Sequence, residues 1–169
     1  MGETAISWIG GSRMRRYTED LLNGILAFIL TKFQAEVTAY ETHFSLTPGT
    51  IPDIWTSKFT TSEQYDNDFP KGMLYERNTE YSIEFLDEDR ETFKIACDFA
   101  DTGLDVPAIR QRLYCYRDAL RNIIEAKANI TLGGLAVDTR ITGITPYLFA
   151  KDGNYAMKVQ INIDVVTLK

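Results

Sequence analysis

From Tyr155 to Val165 the chain alternates without a break: Tyr155, Met157, Val159, Ile161, Ile163 and Val165 on one face, and Ala156, Lys158, Gln160, Asn162 and Asp164 on the other. A period of two over this length is the signature of a half-buried strand. The apolar face obliges the rest of the chain to supply a cover for it. Upstream, Val137, Thr139 and Ile141 keep the same rhythm and lose it at Gly143-Ile144, which predicts a β-bulge there. Asp152-Gly153 offers the turn of a long hairpin, and Gly133-Gly134 breaks the chain ahead of it.

Two helical patterns can supply the cover. Leu21, Leu22, Ile25, Leu26, Ile29, Leu30, Phe33, Val37 and Tyr40 recur at steps of three and four. With Thr18 as an N-cap and Glu19 and Asp20 in the first turn, this predicts an amphipathic helix over 18–42. Ile109, Leu113, Tyr116, Leu120, Ile123 and Ile124 mark a second helix, opened by Asp105 or Val106 with Pro107 in its first turn and ending near Asn129. Between the helices, Tyr81, Ile83 and Phe85 alternate, as do Phe93, Ile95, Cys97 and Phe99, with "LDEDRE" between them. That is a second hairpin with an acidic tip.

These elements predict an α+β domain over 18–169, with a mainly antiparallel sheet from two β-hairpins packed against two helices in the order α-β-β-α-β-β. Residues 1–17 form an N-terminal extension, and 45–72 a long loop. The loop, "SLTPGTIPDIWTSKFTTSEQYDNDFPKG", carries Trp55, Phe59, Tyr65 and Phe69. Its rings either pin the loop onto its own core or form an arm that packs on a neighbouring subunit; on the second reading Trp55 and Phe59 are interface residues.

The 18 Lys and Arg against 24 Asp and Glu leave a net charge of −6 over 169 residues. That balance disfavours a general nucleic-acid binder, whose affinity comes from cations paired with phosphates. It favours protein partners, or a passage to which DNA must not stick. Cys97 and Cys115 lack metal-site spacing and read as free thiols of a reducing cytoplasm. Arg13, Arg15 and Arg16 follow the apolar piece of the N-terminus, the reverse of a signal peptide, and no apolar run reaches membrane-spanning length. A soluble protein is expected, and the Asn129-Ile130-Thr131 sequon is read as chance.

Catalytic patterns are missing. His43 is the one histidine and has no Ser or Cys partner in any recognisable pattern. "DNDFPKG" fails as a calcium loop because Pro70 and Lys71 stand where a ligand and a glycine are required. Asp87, Glu88, Asp89 and Glu91 fan out from a hairpin tip, whereas carboxylate chemistry needs convergence in a cleft. The chain is therefore expected not to be an enzyme and to need no metal or cofactor. An enzyme using these carboxylates on a metal, and a cellular α+β binding module, are the rival classes.

Residues 106–169, "VPAIRQRLYCYRDALRNIIEAKANITLGGLAVDTRITGITPYLFAKDGNYAMKVQINIDVVTLK", resemble the C-terminal part of tail terminator and tail-completion proteins of tailed bacteriophages. The shared features are a helix, a glycine break, a strand ending in an "ITGI"-like segment, a Gly-containing turn and a last alternating strand. The long 45–72 loop and the 1–17 extension depart from the short members of that family. The resemblance implies a homo-oligomeric ring, usually a hexamer, seated on the tail tube in the virion after assembly in the host cytoplasm. It would end tube polymerisation and join the tail to the neck. The implied partners are the chain itself, the tube protein, neck and head-completion proteins, the sheath, and DNA passing through the lumen without specific binding. On this reading Gln160 and Asn162 face a neighbour or the lumen, and Asp87, Glu88, Asp89 and Glu91 border the channel. A head-closure or tube protein is the rival within the same assembly.

Overall fold

The computed structural model describes residues 10–62, 68–84, 88–151 and 154–168, with backbone alone for 10–17, 81–84, 88–89, 151, 154 and 168. In chain order the elements are α1 (Gly10–His43), β1 (Phe59–Thr60), β2 (Lys71–Glu84), β3 (Glu88–Gly103), α2 (Val106–Glu125), two short 3-10 turns, β4 (Asp138–Lys151) and β5 (Asn154–Leu168). The sheet runs β1-β2-β3-β5-β4.

This corrects the expected fold class. The sheet has five strands and is mixed, because β1 pairs with β2 in parallel, Phe59 opposite Gly72 and Thr60 opposite Met73. The order is not α-β-β-α-β-β, since a strand precedes the first hairpin. Two residues in a Pro-containing loop cannot display alternation, so β1 has no periodic signal. Gly72 makes its pairing possible: a Cβ there would lie 2.9 Å from the Phe59 ring and 3.0 Å from that of Phe99.

Helix α1 starts at Gly10, not at Thr18, so the Thr18-Glu19-Asp20 cap signature lies inside the helix. Nothing in Ser12–Tyr17 opposes helix: it has no proline, and Arg and Met are good helix formers. Helix α2 begins as its sequence implies. The Asp105 carboxylate accepts the Ala108 N–H at 3.1 Å, and proline occupies the first turn. Strand β2 begins at Lys71, ten positions ahead of Tyr81, where its alternation becomes legible; a register shift between Glu76 and Asn78 splits the strand's parity and hides its first half. The bulge expected at Gly143-Ile144 falls between Ile141 and Gly143.

Both helices cover one face of the sheet. Ile25, Ile29, Phe33 and Val37 of α1 and Ile109, Leu113, Tyr116 and Leu120 of α2 are buried against Phe93, Ile95, Cys97 and Phe99 of β3 and Met157, Val159, Ile161, Ile163 and Val165 of β5. The alternation of β5 thus divides the strand as its sequence implies, except that Tyr155 is 39% exposed and Asp164, on the polar face, only 5%.

The 45–58 part of the loop belongs to this core. Ile51 and Ile54 are buried, the Glu41 carboxylate accepts the N–H groups of Gly49 (3.2 Å) and Ile51 (2.8 Å), and the Tyr116 hydroxyl donates to the Pro52 carbonyl at 2.6 Å.

Cys97 and Cys115 are buried free thiols. Burial, and secondarily the Asp98 charge, raises Cys97 well above its ordinary value; burial, then Glu41 and Asp118, pushes Cys115 from 9.0 to about 12. Neither thiol is expected to react with a thiol reagent at pH 8 in the native state, and both should react in denaturant. A raised folded value means stability is complete below the unfolded value and drains as pH rises through the folded one, so melting temperature should fall between pH 9 and 12. A fully reactive native thiol at pH 8 would contradict the burial. Separately, Thr139 is 5% exposed and its hydroxyl has no hydrogen-bond partner among the described residues. Thr139→Val removes an unsatisfied buried oxygen at nearly constant shape, and should stabilise by about 1 kcal/mol in a denaturant titration.

Candidate interaction surface

Opposite the helices, Lys94 and Asp98 of β3 and Lys158, Gln160 and Asn162 of β5 lie half-buried on a polar face. Asp98 of β3 lies beside Gln160 of β5. Its carboxylate accepts from Lys158 Nζ (3.1 Å), Gln160 Nε2 (3.0 Å) and the Tyr75 hydroxyl (3.1 Å), and Gln160 Nε2 also approaches the Tyr75 oxygen at 2.8 Å. Burial, then the adjoining Asp98 charge, raises the Tyr75 hydroxyl to about 12, so it stays a donor at neutral pH. Lys158 Nζ also sits 5.0 Å over the Tyr147 ring. The cluster ties β2, β3, β5 and β4 together in one register.

A second polar group lies further along the same face. Asp164, 5% exposed, meets Lys94 at 3.8 Å and Arg140 at 3.7 Å, and Lys94 also reaches Glu80 at 3.3 Å. Arg77 donates to the Asn162 side-chain oxygen at 2.9 Å. Arg77, Lys94, Thr142, Asn162 and Asp164 line a shallow depression of about 310 Å³.

The sequence-derived candidates are placed unevenly. Gln160 and Asn162 lie half-buried on the polar face, and each is held by neighbours in its own chain. Phe59 is 3% exposed, with its ring 5.5 Å from Phe33 and 5.2 Å from Phe99, so it is core and not an arm. Trp55 is half-buried, 6.3 Å from Phe33. Of the acidic cluster, Asp87 lies outside the described residues, and Glu88 and Asp89 pair through their backbones with Glu84 and Ile83. Glu91 is 8% exposed within β3, which separates it from any solvated tip.

Asp101 and Asp105, next along the chain, have structural employment. Asp101, 2% exposed, accepts from Arg112 Nε of α2 at 2.6 Å, and Asp105 caps that helix. Among the described residues no group of three or more His, Cys, Asp or Glu is arranged to hold a metal, and no helix is long and apolar enough to cross a membrane.

A feature that sequence reasoning missed is the distal half of the β4–β5 hairpin. Ile144 (37%), Leu148 (55%), Phe149 (53%) and Tyr155 (39%) are exposed although apolar. Leu104, 76% exposed, follows Gly103, which pairs with Tyr155, so it adjoins the same end of the sheet. The sequence carried a signal, since "ITPYLFA" places apolar residues at consecutive positions and so on both faces. Among the described residues, strand β4 is also an edge of the sheet, paired with β5 alone. No protein-family model matches the chain, and no curated protein matches it.

Proposed function

We propose that the chain is a structural subunit of a tailed-bacteriophage virion: a tail terminator that closes into a ring of six, caps the tail tube, ends its polymerisation and joins the tail to the neck. The observation that carries this reading is the uncovered edge strand β4, whose distal half exposes apolar side chains. Contiguous exposed apolar surface beside a free edge is what a protein-binding strand needs. The resemblance of residues 106–169 to tail-completion proteins supplies the assembly in which that edge would be used. Asp101 and Glu91 are buried in the fold and Asp105 caps α2, which leaves these acids to the structure and favours assembly over carboxylate chemistry.

Within the ring, Asp87, Glu88 and Asp89 border the DNA channel, where like charge keeps the duplex from being held. Glu91 has no part in that lining. The tube protein meets one face of the ring and neck proteins the other.

The test is a phage carrying a null allele, examined by electron microscopy and complemented with the wild-type chain. Overlong tails and unjoined heads, restored to normal length by the plasmid copy, are expected. Absence of tails would instead assign the chain to the tube, and normal virions would refute a place in tail assembly.

A further inference from the structure

The sheet has two incompletely covered edges. At one end β4 is unpaired along its outer side from Asp138 to Lys151 among the described residues. At the other, β1 occupies the outer side of β2 only at Gly72 and Met73, so that Leu74–Glu84 pairs with β3 on one side and with no strand among the described residues on the other. We propose that β4 of one copy pairs with β2 of the next, head to tail, and that this pairing is the contact that builds the ring; the inference rests on the ring-forming reading above.

Strand sense is the first argument. Strands β2 and β3, β3 and β5, and β5 and β4 are each antiparallel, so β2 and β4 run in opposite directions. A neighbour's β2 set beside β4 therefore continues the antiparallel alternation across the subunit boundary. Different patches meet at such a contact, which makes it heterologous, and a heterologous contact closes into a ring when its rotation permits.

Proline placement is the second. Pro146 pairs with Val159 inside β4. A strand proline sits where its missing N–H would have pointed to the free edge. Stepping by two along the regular register beyond the bulge, Ile144, Leu148 and Ala150 direct their backbone N–H and C=O groups outward as well. A two-fold β4–β4 contact would bring two such prolines and forfeit two edge donors, and would leave both β2 edges bare. A β4–β2 contact forfeits one and, on closure, covers both edges of every copy.

Size is the third. The free edge of β2, Leu74–Glu84, is the shorter partner and spans roughly 37 Å at about 3.4 Å per residue. A stable interface of about 800 Å² per partner then needs a band about 22 Å wide. The exposed side chains on either face of the β4 edge, Ile144 and Leu148 on one and Phe149 on the other, can supply that width.

The experiment uses the full chain. Leu148→Cys places a thiol on β4 and Thr79→Cys places one on β2, while the buried native cysteines stay silent. Each variant is assembled alone and in a mixture, treated with a flexible bis-maleimide, and sized by light scattering and denaturing electrophoresis. Cross-linked dimers should form in the mixture and not in either variant alone. Leu148→Lys, at a position 55% exposed, should keep the fold by circular dichroism and raise the assembly midpoint at least about tenfold. Cross-linking of the Leu148→Cys variant to itself, or an assembled ring with no β4–β2 link, overturns the edge pairing and leaves the ring standing. A wild-type chain that stays monomeric at every concentration, on tails and off them, overturns both.

Discussion

Ile161→Lys should leave no folded protein. Ile161 is fully buried on β5, between Cys97 of β3 and Ile144 of β4, on the face the helices cover. A lysine there must leave its ammonium unpaired in an apolar interior or tear the helices from the sheet. Either outcome costs several kcal/mol, against a total stability of about 5–15 kcal/mol for a domain of this size. The measurement is soluble yield with far-UV circular dichroism and a thermal melt. The control is one residue away: Asn162→Ser, on the half-exposed opposite face, loses one hydrogen bond to Arg77 and should melt within a few degrees of wild type. Similar behaviour of the two variants would mean that β5 does not divide its faces between core and surface.

That contrast shows why β5 could be read in advance. A long strand inside the sheet, buried on one side, writes its structure into local sequence as a strict period of two. Helix α2 is legible for a similar reason, because cap, proline and apolar stripe all lie within its own residues. Elements defined by other parts of the chain were not legible. Strand β1 exists because Gly72 leaves room for Phe59 and the Lys58 carbonyl accepts the Gly72 N–H at 2.8 Å; both facts join separate segments. The first half of β2 was masked by its own bulge. The start of α1 was misplaced because Thr18-Glu19-Asp20 spells a cap wherever it occurs, and only the continuing backbone shows that it is interior.

The candidate surface divides the same way. Gln160 and Asn162 followed from parity, but their partners Tyr75, Asp98 and Arg77 depend on the register between strands, which one sequence does not display. An aromatic residue in a long loop gives one signal for two fates, core anchor and interface anchor. For Phe59 the choice was made by the vacancy above Gly72. Glu91 was grouped with the tip acids by proximity in sequence, yet the hairpin had already become strand at Glu88.

Phe33→Ala is the second substitution expected to be severe. The Phe33 ring is fully buried and stands among four others: Phe59 at 5.5 Å, Phe99 at 5.8 Å, Tyr116 at 6.2 Å and Trp55 at 6.3 Å. These rings come from α1, β1, β3, α2 and the loop, so one side chain joins both helices, the sheet and the anchored loop. Truncation removes the buried ring and opens a cavity whose walls are held by separate elements and cannot collapse together. The expected loss is about 3–5 kcal/mol, read as a fall in denaturant midpoint at unchanged slope. Phe59→Ala should cost less, because its strand is two residues long and can shift toward the vacated space. Since the two rings touch, the double variant should lose less than the sum of the single losses. Strict additivity would mean that the rings contribute independently and that β1 is not held down by this cluster. A double variant that folds normally but fails to assemble would return Phe59 to the interface and move the core elsewhere.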